Sequence, residues 1–142
     1  MAQVIHRLFD KGRTASFMIT SDGTTSNATI IDVSTLEGAI AGKDQRVRIK
    51  SVSCLNAGIS GDDKNYSIHL LWDGGTDQLI ATLPMGQTEL HLGQGVVDPS
   101  SVSGLTGDIV LKTTASVEYT IFINIEKTEG FYPSSKYNRN LA

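Results

Sequence analysis

The residues of this 142-residue sequence best equipped for chemistry are His6, His69 and His91, the single cysteine Cys54, and two acidic turns, Asp62-Asp63 and Asp73 with Asp77. Nucleophilic catalysis needs a serine or cysteine beside a base that a third group orients. No Gly-x-Ser-x-Gly elbow is present; Gly58-Ile59-Ser60-Gly61 comes nearest, and its spacing fails the motif. Each histidine stands alone among alternating apolar neighbours, and no pair has metal-ligand spacing. A lone histidine in such a strand is more often half-exposed or hydrogen-bonded than catalytic. Cys54 lies between Val52 and Leu55, with no cation nearer than Lys50, and reads as a small buried hydrophobe. Calcium needs six to eight converging oxygens, and neither acidic turn carries a full calcium-loop pattern. There is no phosphate-binding Gly-Lys-Ser/Thr loop and no dinucleotide fingerprint. The expectation is a protein with no enzymatic activity, no metal and no cofactor.

The balance of the chain excludes further classes. Twelve basic and fifteen acidic residues give a net charge of −3, so long-range attraction to nucleic acid or an anionic membrane is not expected. Arg46, Arg48 and Lys50 share one strand face, but no aromatic platforms interleave with them. The longest apolar runs, such as Ala39-Ile40-Ala41, fall far short of the roughly 20 residues that span a bilayer. The first residues lack a basic start followed by an apolar stretch, so no secretory leader is expected. One cysteine excludes an internal disulfide framework.

The elements that must carry these residues are strands. Val, Ile and Thr number 9, 13 and 14, a quarter of the chain, and Gly and Ser add 14 each. This composition favours sheet and tight turns. Period-two alternation marks strands at 4–9, 17–19, 29–33, 46–54, 66–72, 79–83, 88–92, 108–114 and 117–127. Along Arg46–Lys50 the charges take one face and Val47 and Ile49 the other. The phase then slips, because Val52 and Cys54 fall on the charged face, which predicts a β-bulge or a strand passing from exposed to covered. Val33–Ala41 is the best helical candidate, with Ser34 or Thr35 as a cap, although Gly38 and Gly42 keep it short. A loop over 93–107 and a last hairpin turning at Ala115-Ser116 complete the reading. Nine strands at this spacing predict an all-β, two-sheet antiparallel sandwich, jelly-roll-like, over residues 1–130 with an N-terminal arm.

Residues 131–142 lose the alternation and form an extended C-terminal tail. Phe131, Tyr132 and Tyr137 stand among polar residues as potential anchors on a neighbouring surface. With Pro133, Arg139 and Gln3 of the N-terminal arm, they make the expected partner-binding set. The competing reading packs the tail back on its own domain.

Several strings taken together resemble a known family. Leu8-Phe9-Asp10-Lys11-Gly12, a Ser-Asp-Gly-Thr turn at 21–24 and Asp32-Val33-Ser34 come first. Leu70-Leu71-Trp72-Asp73 and Ile80-Ala81-Thr82-Leu83-Pro84 follow, then the run from Gly104 to Thr114 and Tyr119-Thr120-Ile121. In order and spacing, over residues 8–127, they resemble small virion proteins of tailed bacteriophages. The resemblance implies a capsid cement (decoration) protein: a structural part of the virion, made in the host cytoplasm, with no catalytic motif. Its implied partners are the major capsid protein or other virion proteins, in a homo-oligomer or symmetric array. The tail at 131–142 departs from the short members of that family. A neck, tail or baseplate position in the same particle is the alternative, and a carbohydrate-binding module a more distant one.

Overall fold

The structure, a computed structural model, describes residues 3–23, 27–61, 64–99 and 104–132. Among these, nine strands form: β1 (Val4–Lys11), β2 (Thr14–Asp22), β3 (Asn27–Ile31), β4 (Arg46–Gly58), β5 (Ile68–Gly74), β6 (Gln78–Leu83), β7 (Gly86–Val96), β8 (Leu105–Thr113) and β9 (Glu118–Glu129). They build two antiparallel sheets, ordered β1-β2-β9-β4-β7 and β3-β8-β5-β6. The pairs β2·β9, β3·β8, β4·β7 and β5·β6 make one long antiparallel ribbon whose successive rungs alternate between the sheets. Pairing of β4 with β9 and of β5 with β8 seals the roll. This is jelly-roll connectivity, with β1 added beside β2.

The alternation read from the sequence sets which side chains go inside. Val117, Tyr119, Ile121, Ile123 and Ile125 are all buried, as are Phe17 and Ile19 of β2 and Ile68, Leu70 and Trp72 of β5. Each such aliphatic contributes roughly 1.5–3 kcal/mol by leaving water. The phase slip in β4 is a β-bulge. Ile49 pairs with Ile125 and Ser51 with Asn124, so Lys50 has no counterpart on β9. The extra residue lets Val47 and Ile49 before it, and Val52 and Cys54 after it, all point inward.

Four expectations are corrected. The helical candidate at 33–41 is only a single 3-10 turn, Val33–Thr35, capped by Asp32, whose carboxylate accepts from the Ser34 N–H. Gly38 follows with φ of 88°, which a helix cannot continue through. The short strand at 88–92 is the longer β7, so the loop expected from residue 93 begins after Val96. The last two strands are no hairpin: β8 pairs with β3 and β5, and β9 with β2 and β4. Their connection crosses from one sheet to the other. Lastly, the N-terminal arm is the edge strand of the five-stranded sheet. It overhangs: Ile5 is in register with buried Ile19 yet is 41% exposed, because no strand of the second sheet covers it.

Candidate functional site

The residues expected for chemistry do not meet. His6 lies on β1 and His91 on β7, at opposite edges of one sheet, and both are exposed. His69 belongs to the other sheet, its Nδ1 3.2 Å from Thr82 Oγ1. Cys54 is buried in the core, and burial pushes its thiol up to about 11, which leaves it unreactive at neutral pH. Asp77 accepts from the Gly74 N–H at 3.1 Å and closes its turn, whereas Asp73 accepts from Thr106 Oγ1 at 3.0 Å and ties β5 to β8. Asp62 and Asp63 lie outside the described residues. Among the described residues, no group of three or more His, Cys, Asp or Glu is placed to hold a metal. Trp72 and Tyr119 are both buried, so neither offers a platform for a sugar ring.

What the fold does present is a face. The register across the five-stranded sheet aligns its outward side chains in rows. One row reads Val4, Thr20, Thr120, Leu55, Gln87; the next His6, Met18, Phe122, Ser53, Glu89; the third Phe9, Ser16, Asn124, Ser51, His91. Glu89 is the one carboxylate in these three rows and no lysine or arginine pairs into them, although the bulged Lys50 stands beside Ser51 at the edge of the third; about a quarter to a third of a soluble surface is charged. Leu55 and Phe122, 56% and 42% exposed, stand near its centre. Beside them is a shallow depression of about 320 Å³ lined by Ser53, Cys54, Leu55, Gln87, Thr120 and Phe122. In the third row Ser16 Oγ donates to Asn124 Oδ1 at 2.6 Å and Asn124 Nδ2 to Ser51 Oγ at 2.7 Å. These bonds link the polar side chains of the row to one another across three strands. Charge returns at the borders. Arg48 Nε lies 3.4 Å from Glu126 Oε1 at one end, and Asp22 pairs in register with Glu118 at the other.

The expected partner-binding residues divide into two groups. Gln3 Nε2 donates to the Tyr119 hydroxyl at 3.0 Å, which ties the N-terminal segment to its own core. Phe131 is half-buried: it bridges to Ala39, packs on the core, and has Lys127 Nζ 5.7 Å from its ring centre. Tyr132 is exposed, although its N–H donates to the Gly38 carbonyl. The turn just before them demands glycine. Gly130 has φ of 79°, and a Cβ there would run into the Asp44 carbonyl. The chain is thus held by its own domain as far as residue 132. Pro133, Tyr137 and Arg139 lie outside the described residues.

A second constellation escaped the sequence reading. Lys127 is 1% exposed, and its Nζ lies 2.6 Å from Asp10 Oδ1. Nζ also donates to the Glu37 carbonyl at 2.8 Å. The Asp10 side chain is 6% exposed, and its Oδ2 accepts from the Glu37 N–H at 2.8 Å and from Arg7 Nη1 at 3.2 Å. A signal was present: Lys127 continues the inward phase of Val117 to Ile125, and a lysine in that phase requires a buried counter-charge.

Scans against protein-family models, curated proteins and solved structures return no significant match. No helix among the described residues is long and apolar enough to cross a membrane.

Proposed function

We propose that this chain is a non-enzymatic structural protein of a tailed-phage virion, which binds the assembled capsid and stabilises it as a cement protein. The observation that carries the reading is the nearly uncharged outer face of β1-β2-β9-β4-β7, centred on Leu55 and Phe122. Interface centres are depleted of charge and enriched in aromatic residues in the same way. The resemblance over residues 8–127 supplies the particle. A rigid jelly roll with consistent core packing suits a part that resists deformation rather than one that moves.

The size of the face makes the proposal specific. Five strands at about 4.8 Å spacing and three rows at about 7 Å give roughly 500 Å². A standard interface buries about 800 Å² per partner, so one such contact is weak. A symmetric shell offers many neighbouring sites, and contacts made together hold far more tightly than any one alone. The protein should therefore bind assembled shells and not free shell subunits. The tail from residue 133 is the proposed source of further contact with a neighbour.

Co-sedimentation with purified capsid shells tests this. Leu55→Asp and Phe122→Asp should abolish binding while leaving the folded domain intact, and removal of residues 133–142 should weaken it. The truncation must start at 133, because Phe131 and Tyr132 are tied to the domain. Full binding by both face variants would overturn the docking assignment. A copy number of about a dozen per particle, read by gel densitometry, would move the protein to the neck, tail or baseplate.

A further inference from the structure

We propose that Lys127 and Asp10 condense spontaneously into an intramolecular isopeptide bond that joins the first strand of the sandwich to the last. The geometry is unusual for an ordinary ion pair. Nζ is 2.6 Å from Oδ1, yet Oδ1 is fully buried and makes no hydrogen bond. The ammonium is therefore in contact with Oδ1 outside hydrogen-bonding geometry, beside the carboxyl carbon it would attack. Both side chains are more than nine-tenths buried.

The surroundings suit the reaction. A proton passes from Nζ to Oδ1, which frees the nitrogen lone pair. The lone pair attacks Cγ, the C–N bond forms, and negative charge develops on Oδ2. Two donors already point there: the Glu37 N–H at 2.8 Å and the Arg7 guanidinium at 3.2 Å. Fixed donors at a developing oxyanion are the largest single catalytic device of acyl transfer. Arg7 is itself held, donating to the Thr35 carbonyl and hydroxyl at 3.0 and 2.9 Å. The Glu37 carbonyl, 2.8 Å from Nζ, keeps the nitrogen in position. Oδ1 takes a second proton from nitrogen, the Cγ–Oδ1 bond breaks, and water leaves. Ammonium and carboxylate become amide and water, with no oxidant or reductant. Reactants held in this way can act at effective concentrations of about 10⁵ M or more. The ring of Phe131 packs over the site, 5.7 Å from Nζ.

The product would serve the fold where it is weakest. β1 pairs only with β2 and has no covering strand, so it is the first element to peel under load. A covalent tie to β9, which lies between β2 and β4, anchors that edge to the middle of the sheet.

Intact-mass spectrometry of the full chain, denatured after several days folded at neutral pH, tests the bond. The expected mass is lighter than the sequence by one water. After trypsin, the peptide Leu8–Lys11 should be joined to the peptide spanning 113–136, with no cleavage after Lys127. Lys127→Arg, which retains a cation but no condensable amine, should run at full mass. A wild-type chain at full mass overturns the proposal, as does a water loss carried by one linear peptide, such as a succinimide at Asp22-Gly23.

Discussion

Deleting Lys50 should be tolerated, whereas deleting Ser53, three residues later in the same strand, should destabilise the protein at least twice as much. Lys50 is the residue by which β4 exceeds β9. Ile49 and Ser51 pair with the adjacent residues Ile125 and Asn124, so its removal makes this stretch of the β4·β9 pairing regular without moving β9; on the other side the same step already spans Val96 to His91 of β7. Val47, Ile49, Val52 and Cys54 keep their inward phase. The loss is the local extra twist, and the expected cost is about 1–2 kcal/mol. Deleting Ser53 draws the spare Lys50 into register. Val47 and Ile49 then keep their phase, but Val52, now 1% exposed, turns to water and Ser51 turns in. Loss of the bulge plus one exposed aliphatic at roughly 1.5–3 kcal/mol makes about 2.5–5 kcal/mol, against a total stability of about 5–15 kcal/mol. Urea titration followed by fluorescence of Trp72, the single tryptophan and a buried one, separates the two cases. At a urea slope of about 2 kcal/mol/M, the Lys50 deletion shifts the midpoint by about 0.5–1 M. The Ser53 deletion shifts it by about 1.2–2.5 M. Equal damage from both deletions, or tolerance of the second, would refute the assignment of Lys50 as the bulge.

Other outcomes follow from single contacts. Compared with freshly folded wild type still at full mass, in which Lys127 and Asp10 are an ion pair, Lys127→Met leaves the buried Asp10 carboxylate with Arg7 alone and should cost about 3–5 kcal/mol in urea titrations, as broken buried pairs do; a change below 1 kcal/mol would mean the pair is not buried in solution. Cys54, with its thiol near 11, is about one part in a thousand thiolate at pH 8, so alkylation of the folded protein should track global unfolding. Rapid native labelling would contradict its burial. Asp108 has its carboxyl raised above the usual range by burial and by repulsion from Asp32 and Asp73, with the Val33 N–H opposing. Ionising it therefore costs the native state more than the unfolded chain, so its contribution is complete at acid pH and is lost as pH rises through the folded value. Asp108→Asn keeps an oxygen for the Val33 N–H, 2.9 Å from Oδ1 in the wild type, and removes the charge. Paired titrations at about pH 3.5 and about pH 7 should find the variant gaining on the wild type at the higher pH; the opposite trend would refute the burial argument.

Strand positions and faces were legible in the sequence because side-chain direction alternates with a period of two and depends only on adjacent residues. The run Val117 to Ile125 and the slip after Ile49 could be read directly, and the structure has both the inward row and the bulge. The uncharged face was not legible, since its rows combine residues from β1, β2, β9, β4 and β7, and only register brings them side by side. Partner choice was hidden for a related reason. A turn at Ala115-Ser116 can fold a strand back in its own sheet or carry it across the sandwich, and alternation is the same in either case. Burial of both inner faces decided for the crossing. Likewise the phase of Lys127 pointed it inward, but only the tertiary structure supplied Asp10, from the opposite end of the chain, to receive its charge. Local stereochemistry wrote the faces into the sequence; long-range pairing, where apolar burial and charge compensation act together, chose the neighbours.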